Sequence, residues 1–293
     1  MTRWFAGLLA AVVFCASPNA MAQSRFVTLG YVDLSFYEVT ASVVQGVLER
    51  LGYNVAVKKG SHAEMYPLLG KGEIDLFVAV WLPNAHAAYW EQYKDSSMIV
   101  TTLFDDAKLF WAVPAYVPAA DVSSVADLRK PEVAAKMQKQ IRGTKPDSGL
   151  LVGSQKIMEA YSLKDSGYEL LPSQPSERVT NFSDNIAAKR WFVMPLSQPN
   201  YLNRMAAMRI LDEPRQLLGS ADTAYLVAHK DFFAKADKRT WGALQRMALS
   251  VKAVTEMDYQ VNVNKLAPPY AARNWMAAHP DTVNYWLEPD ADE

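Results

Sequence analysis

At 293 residues, 50% hydrophobic and 21% charged, the chain has the composition of a globular protein with a sizeable core, long enough for two lobes. These values exclude a disordered chain, a collagen-like fibre and a small disulfide scaffold. With 30 Lys and Arg against 31 Asp and Glu the formal charge is −1, so no basic surplus points to nucleic acid.

The N-terminus reads as an export signal. Arg3 precedes an apolar run over residues 4–16, Ser17-Pro18-Asn19 break it, and Ala20-Met21-Ala22 has the small-x-small form of a cleavage site. The run is too short for a membrane anchor. The expectation is a signal peptide over 1–22, cleaved after Ala22, and a soluble protein of the bacterial periplasm. Cys15, the only cysteine, lies inside the discarded segment. The mature chain therefore has no thiol or disulfide, and no metal or cofactor site is expected.

From there strands and helices alternate. Residues 26–32 read as a strand. Val39, Val43, Val47 and Leu51 mark one face of a helix over 37–51, with Ser35 and Glu38 spaced as a capping box. Residues 53–57 form the next strand, and Ser61 and Glu64 repeat the capping pattern before Pro67. The continuous apolar run 74–80 has the character of a strand buried on both faces. A helix over 84–94, capped by Asn84, follows, then a strand over 109–113. A second α/β set comprises a helix near 127–140, a strand over 140–143, a helix over 149–161, a strand over 168–171, a helix over 176–189 and a strand over 191–194. Residues 222–228 read as a strand returning to the first lobe, and helices at 238–250 and 269–278 complete the chain. The expected fold is α/β: a two-lobed clamshell, each lobe a mostly parallel sheet flanked by helices, with a ligand in the cleft. The expected division is 23–113 and 216–293 in lobe 1 and 114–215 in lobe 2, with crossings near 113–117 and 211–220.

Enzyme signatures are mostly absent. There is no G-x-S-x-G, G-x-G-x-x-G or Walker loop, and His62, His86, His229 and His279 show no ligand spacing. Trp81-Leu82-Pro83, directly after the apolar run, stands at the carboxyl end of a strand, where open parallel sheets bind ligands. Trp81 there has two readings, a packed core aromatic or a π face for a cation, with Pro83 holding the ring in place. Phe36 and Tyr37, after the first strand, are placed to add faces. Glu38 is either a cap or a negative charge in the same cage.

Gly30-Tyr31-Val32, Gly72-Glu73-Ile74-Asp75 leading into Trp81-Leu82-Pro83, Ala112-Val113-Pro114, Leu211-Asp212-Glu213-Pro214 and Leu218-Gly219 occur in an order that resembles the substrate-binding proteins of glycine betaine, choline and proline ABC importers. The resemblance covers about residues 26–231. It implies a non-enzymatic, monomeric protein that closes over a small quaternary-ammonium osmoprotectant. That solute would be delivered to an inner-membrane ABC permease driven by its ATPase. It places Phe36 where the family has a first cage tryptophan, Glu38 at the acidic position of choline-binding members and Trp81 to Pro83 at the family W-x-P. The second-lobe turn falls at Pro146-Asp147-Ser148-Gly149, where helix N-terminal amides are suited to a carboxylate.

One departure stands out. The family's second-lobe tryptophan is missing from Pro195-Leu196-Ser197-Gln198-Pro199-Asn200-Tyr201, where Tyr201 is the substitute and Ser197 and Gln198 offer hydrogen bonds. The alternatives are therefore the same scaffold binding a polar amino acid such as histidine or proline, or, further off, a periplasmic enzyme.

Overall fold

A computed structural model describes residues 25–289; the expected signal peptide lies outside them. The chain runs β1 (Arg25–Val32), α1 (Ser35–Arg50), β2 (Tyr53–Gly60), α2 (His62–Gly70), β3 (Leu76–Leu82), α3 (Ala87–Tyr93) and β4 (Ser97–Pro114). It continues through α4 (Pro131–Ala134), β5 (Gln140–Arg142), α5 (Gly149–Ala160), β6 (Glu169–Leu171), α6 (Pro175–Ala187), β7 (Met194–Gln198), α7 (Leu202–Met205) and β8 (Met208–Ile210). It ends with β9 (Asp222–His229), α8 (Lys230–Lys235), α9 (Lys238–Arg246), α10 (Val251–Asn262), α11 (Pro268–Ala278) and α12 (Pro280–Leu287). No helix among the described residues is long and apolar enough to cross a membrane.

The principal sheet has the order β2-β1-β3-β9-β4-β7, with β8 beside β4. Parallel pairing holds for β2-β1-β3 and for the small β5-β6 sheet, and the remainder is antiparallel. The mixture follows from β9, which re-enters from the far side and lies antiparallel between β3 and β4. One apolar core gathers β1, α1, β3, the first half of β4, β9 and the C-terminal helices. Two adjoining clusters gather Trp111 to Leu218. β4 joins them: it pairs with β9 up to Ala107 and with β7 from Lys108 onward. Asp106 stands at that change of partner with φ 65°, a left-handed conformation that aspartate tolerates better than bulkier residues.

Several local expectations are corrected. Ser35 does not cap α1: it is the first helical residue, and its hydroxyl accepts from Asn262. Asn84 does not cap α3, because its side chain donates to Ser220 and Asp222, and the helix begins at Ala87. The helix near 127–140 reduces to a 3-10 turn and the single turn α4, since Pro131 breaks it and holds Lys130 extended. The strand expected over 191–194 lies at β7, where Pro195 is tolerated because the strand is at the sheet's edge. Ser61 and Glu64 do form a capping box, and Pro67 sits inside α2.

Asp258, fully buried on α10, joins the two parts of the chain by accepting from the Tyr201 backbone N–H at 2.8 Å and from Asn262 at 2.8 Å. Burial raises its carboxyl from 3.8 to about 6 against the opposing pull of Ser35, Tyr201 and Asn262. The folded state therefore binds the extra proton between these values, and stability falls as pH rises from about 4 to about 6. Chemical denaturation at pH 4 and 7 is expected to show wild type losing roughly 2 kcal/mol relative to Asp258→Asn across that interval. Parallel pH profiles of the two proteins would refute this.

Candidate functional site

Three rings converge where the carboxyl ends of β1 and β3 meet the second part of the chain. α1 starts immediately after β1 and so puts Phe36 and Tyr37 in its first turn. β3 ends with Trp81 beside them. Phe36 lies 4.3 Å from Tyr37 and 5.7 Å from Trp81 between ring centroids, and Tyr37 and Trp81 are 5.8 Å apart, edge to face. All three are almost fully buried, and they line one face of a pocket that opens to solvent. The indole Nε1 of Trp81 has no hydrogen-bond partner among the described residues.

The Trp81 loop is fastened from two directions. The Trp81 N–H donates to His86 Nδ1 at 3.0 Å, and the His86 N–H returns a bond to the Trp81 carbonyl at 3.0 Å. Asp222, at the start of β9, accepts from the Asn84 N–H (2.6 Å), the Asn84 amide (3.0 Å) and the Ala85 N–H (3.0 Å). Because Nδ1 of His86 is an acceptor, Nε2 carries the proton of the neutral ring and faces His62 Nε2 at 3.1 Å and the Tyr37 hydroxyl at 3.3 Å. Burial, with His62 adjacent, holds His86 well below the usual histidine range, so it is neutral at physiological pH.

The opposite wall contains no aromatic ring among its lining residues. It is built from Thr144, Lys145, Asp147, Ser148, Arg178, Ser197 and Asn200, with Leu109 and Leu150. Asp147 accepts from the His62 N–H at 3.1 Å, with the ring's Nδ1 3.8 Å away, and this contact holds its carboxyl down to about 2. Lys145 approaches Asp33 at 3.9 Å, and Asp33 also pairs with Lys59 at 3.3 Å. Ser148 spends its hydroxyl on capping α5, accepting from the Leu151 N–H. Arg178 is 9% exposed and donates to the Pro195 carbonyl at 2.5 Å, while its Nε has no partner. Burial pulls its guanidinium down to about 10, still charged at neutral pH, and the nearest opposing influence is the Tyr201 hydroxyl rather than a carboxylate.

Of the residues expected at the site, Phe36, Tyr37, Trp81, Asp147, Ser148 and Ser197 line this cavity. Glu38 and Tyr201 line a neighbouring cavity that shares Asp33, Phe36, Lys145, Arg178 and Asn200 with it. Glu38 accepts from the Tyr31 hydroxyl at 3.0 Å and pairs with Lys59 at 3.6 Å. Gln198 turns to Asp106, and exposed Pro83 lines neither cavity. His62, His86 and Arg178 were not anticipated. The histidines show no sequence spacing because the fold, not the chain, pairs them. Arg178 carried a readable signal: it shares the buried stripe of α6 with Phe182 and Asn185.

Comparison with known proteins gives a consistent result. The model of the substrate-binding domain of ABC-type glycine betaine transport systems matches residues 26–278. The glycine betaine/carnitine transport binding protein GbuC of Listeria monocytogenes is 22% identical over 160 residues, 54% of this chain and 52% of that protein. The chain thus spans about half the length of that curated relative. Lactococcal OpuAC, solved closed with glycine betaine, superposes with a TM-score of 0.79 at 22% identity, over 90% of this chain and all of that one. The glycine betaine/L-proline-binding protein ProX of Borrelia burgdorferi gives 0.80 at 21% identity, over 91% and 97%. At these identities the structures show a shared two-lobed α/β fold.

Proposed function

The chain belongs to the family of substrate-binding domains of ABC-type glycine betaine transport systems, and from that premise we propose that it captures a small quaternary-ammonium solute in the cavity described above. The observation that carries the reading is the Phe36–Tyr37–Trp81 cluster, three aromatic rings packed together that line one pocket. A trimethylammonium group is attracted by such faces without needing a counter-ion, most strongly when desolvated. As part of the same reading, the signal peptide directs the chain to the periplasm and cleavage follows Ala22. The monomer hands its solute to an inner-membrane permease and ATPase.

The lobe division also belongs to the proposal. Residues up to Ala107 and from about 216 onward form one lobe, with Lys108 to about 215 in the other, which moves the first crossing back from the expected 113–117. The first crossing is assigned to β4, where its partner changes at Ala107–Lys108. A solute touching both walls stabilises the closed form by its differential affinity for closed over open. The His62–Asp147 and Asp33–Lys145 pairs add to closure.

Thermal unfolding of the mature protein with a panel of betaines, choline, carnitine, proline and histidine tests the assignment. A quaternary amine at 100 times its Kd is expected to add about 2.7 kcal/mol and raise the midpoint by several degrees. A shift with proline or histidine alone would overturn the quaternary-ammonium reading and leave the fold intact.

A further inference from the structure

The two buried histidines form a directed chain from the Trp81 loop to the far wall of the cleft. The Trp81 N–H donates to His86 Nδ1, which leaves the neutral ring's one proton on Nε2, opposite His62 Nε2 at 3.1 Å. His62 Nε2 is then the acceptor, its own proton sits on Nδ1, and Nδ1 faces the Asp147 carboxylate at 3.8 Å. The other acceptor within reach of His86 Nε2 is the Tyr37 hydroxyl, at 3.3 Å. The remaining groups around His62 belong to its own side of the cleft. The Tyr89 ring of α3 stacks on it at 5.8 Å, and α2 itself adds buried Tyr66 and Glu64, whose carboxylate is engaged by the Ser61 N–H. From the other side come only Asp147, in the turn before α5, and its neighbour Lys145, which pairs with Asp33.

We propose that His62 is a proton-linked latch: closure over the solute seats Asp147 on His62 and draws a proton onto it, so that capture takes up protons and tightens in mild acid. The inference rests on the cavity and lobe assignments above and adds a regulation of the same site. A proton on His62 Nε2 costs the His86 hydrogen bond whether the cleft is open or closed, because both rings lie on one side. It gains a carboxylate partner only when Asp147 is brought up. The closed state therefore holds more protons than the open one, and affinity rises as pH falls through the range in which histidine changes charge. His86 takes no part in the titration, since burial keeps it neutral. The charge of a trimethylammonium group, spread over its methyls and seated on the rings, opposes the proton less than the carboxylate beside Nδ1 favours it.

Calorimetric titration with glycine betaine and with choline at pH 6 and pH 8, each in two buffers of different ionisation enthalpy, reads both the affinity and the protons taken up. Wild type is expected to bind about threefold more tightly at pH 6 and to take up a fraction of a proton per solute, the return on a partly exposed ion pair. In His62→Gln and Asp147→Asn the affinity ratio should fall to about one and the uptake should vanish, with thermal unfolding establishing that each variant is folded. A merely structural role would weaken binding at both pH values alike and leave the ratio intact. Equal wild-type affinity at the two pH values, or protons released on binding, would overturn the proposal while the quaternary-ammonium reading survives. A ratio that persists in either variant would do the same by assigning it to another group, such as Asp258, whose carboxyl is raised to about 6. No binding of either solute to folded wild type would overturn both.

Discussion

Replacing Trp81 with alanine is expected to abolish solute binding and to lower stability by about 3–5 kcal/mol. Both effects follow from one position. The ring is 1% exposed and packs on Phe36, Tyr37 and His86, so truncation opens a cavity in the lobe that also supplies the binding face. The same truncation removes the strongest π face available to a cation. Trp81→Phe separates the two: it keeps a ring in the packing and should retain most of the stability while weakening affinity roughly tenfold. Denaturant melts and titrations on both variants give the comparison. Wild-type affinity in Trp81→Ala would remove the ring from the site.

A second large effect is expected at Asp222, which contacts no solute. It is 3% exposed and accepts two backbone N–H groups and one side-chain amide from the loop that follows Trp81. Asp222→Ala leaves those donors without an acceptor, at a cost of about 2–4 kcal/mol. The loop is also what holds His86 against Trp81, so affinity should fall by at least tenfold in protein that remains folded. Asp222→Asn keeps one acceptor and should lie between the two. Unchanged stability in Asp222→Ala would mean that the 83–86 loop is held by its packing alone.

The parts of the fold legible in the sequence were those with a local physical cause. The apolar run 74–80 became β3, and the Ser61–Glu64 spacing became a working capping box. The amphipathic stripe Val39, Val43 and Val47 became the buried face of α1. What escaped was decided at long range. The first half of β4 is hidden by Asp105 and Asp106, whose charges break the strand pattern at the place where the strand changes partner. Ser35 and Asn84 look like helix caps, yet each is drawn to a residue far along the chain, Asn262 and Asp222.

The candidate site divides in the same way. Phe36, Tyr37 and Trp81 were readable because each follows a strand end, where an α/β sheet opens its crevice. His62 and His86, separated by 24 positions, meet only because α2 and the Trp81 loop fold against each other. Arg178 needed the recognition that a charge on the buried stripe of a helix must be answered by something in the fold or by a ligand.

The most direct test of the central claim is a crystal structure of the mature protein grown with saturating glycine betaine. The account predicts one bound molecule, its trimethylammonium group packed against Phe36, Tyr37 and Trp81. Glycine betaine bound elsewhere, or a cleft that stays unoccupied at saturating concentration, would contradict it.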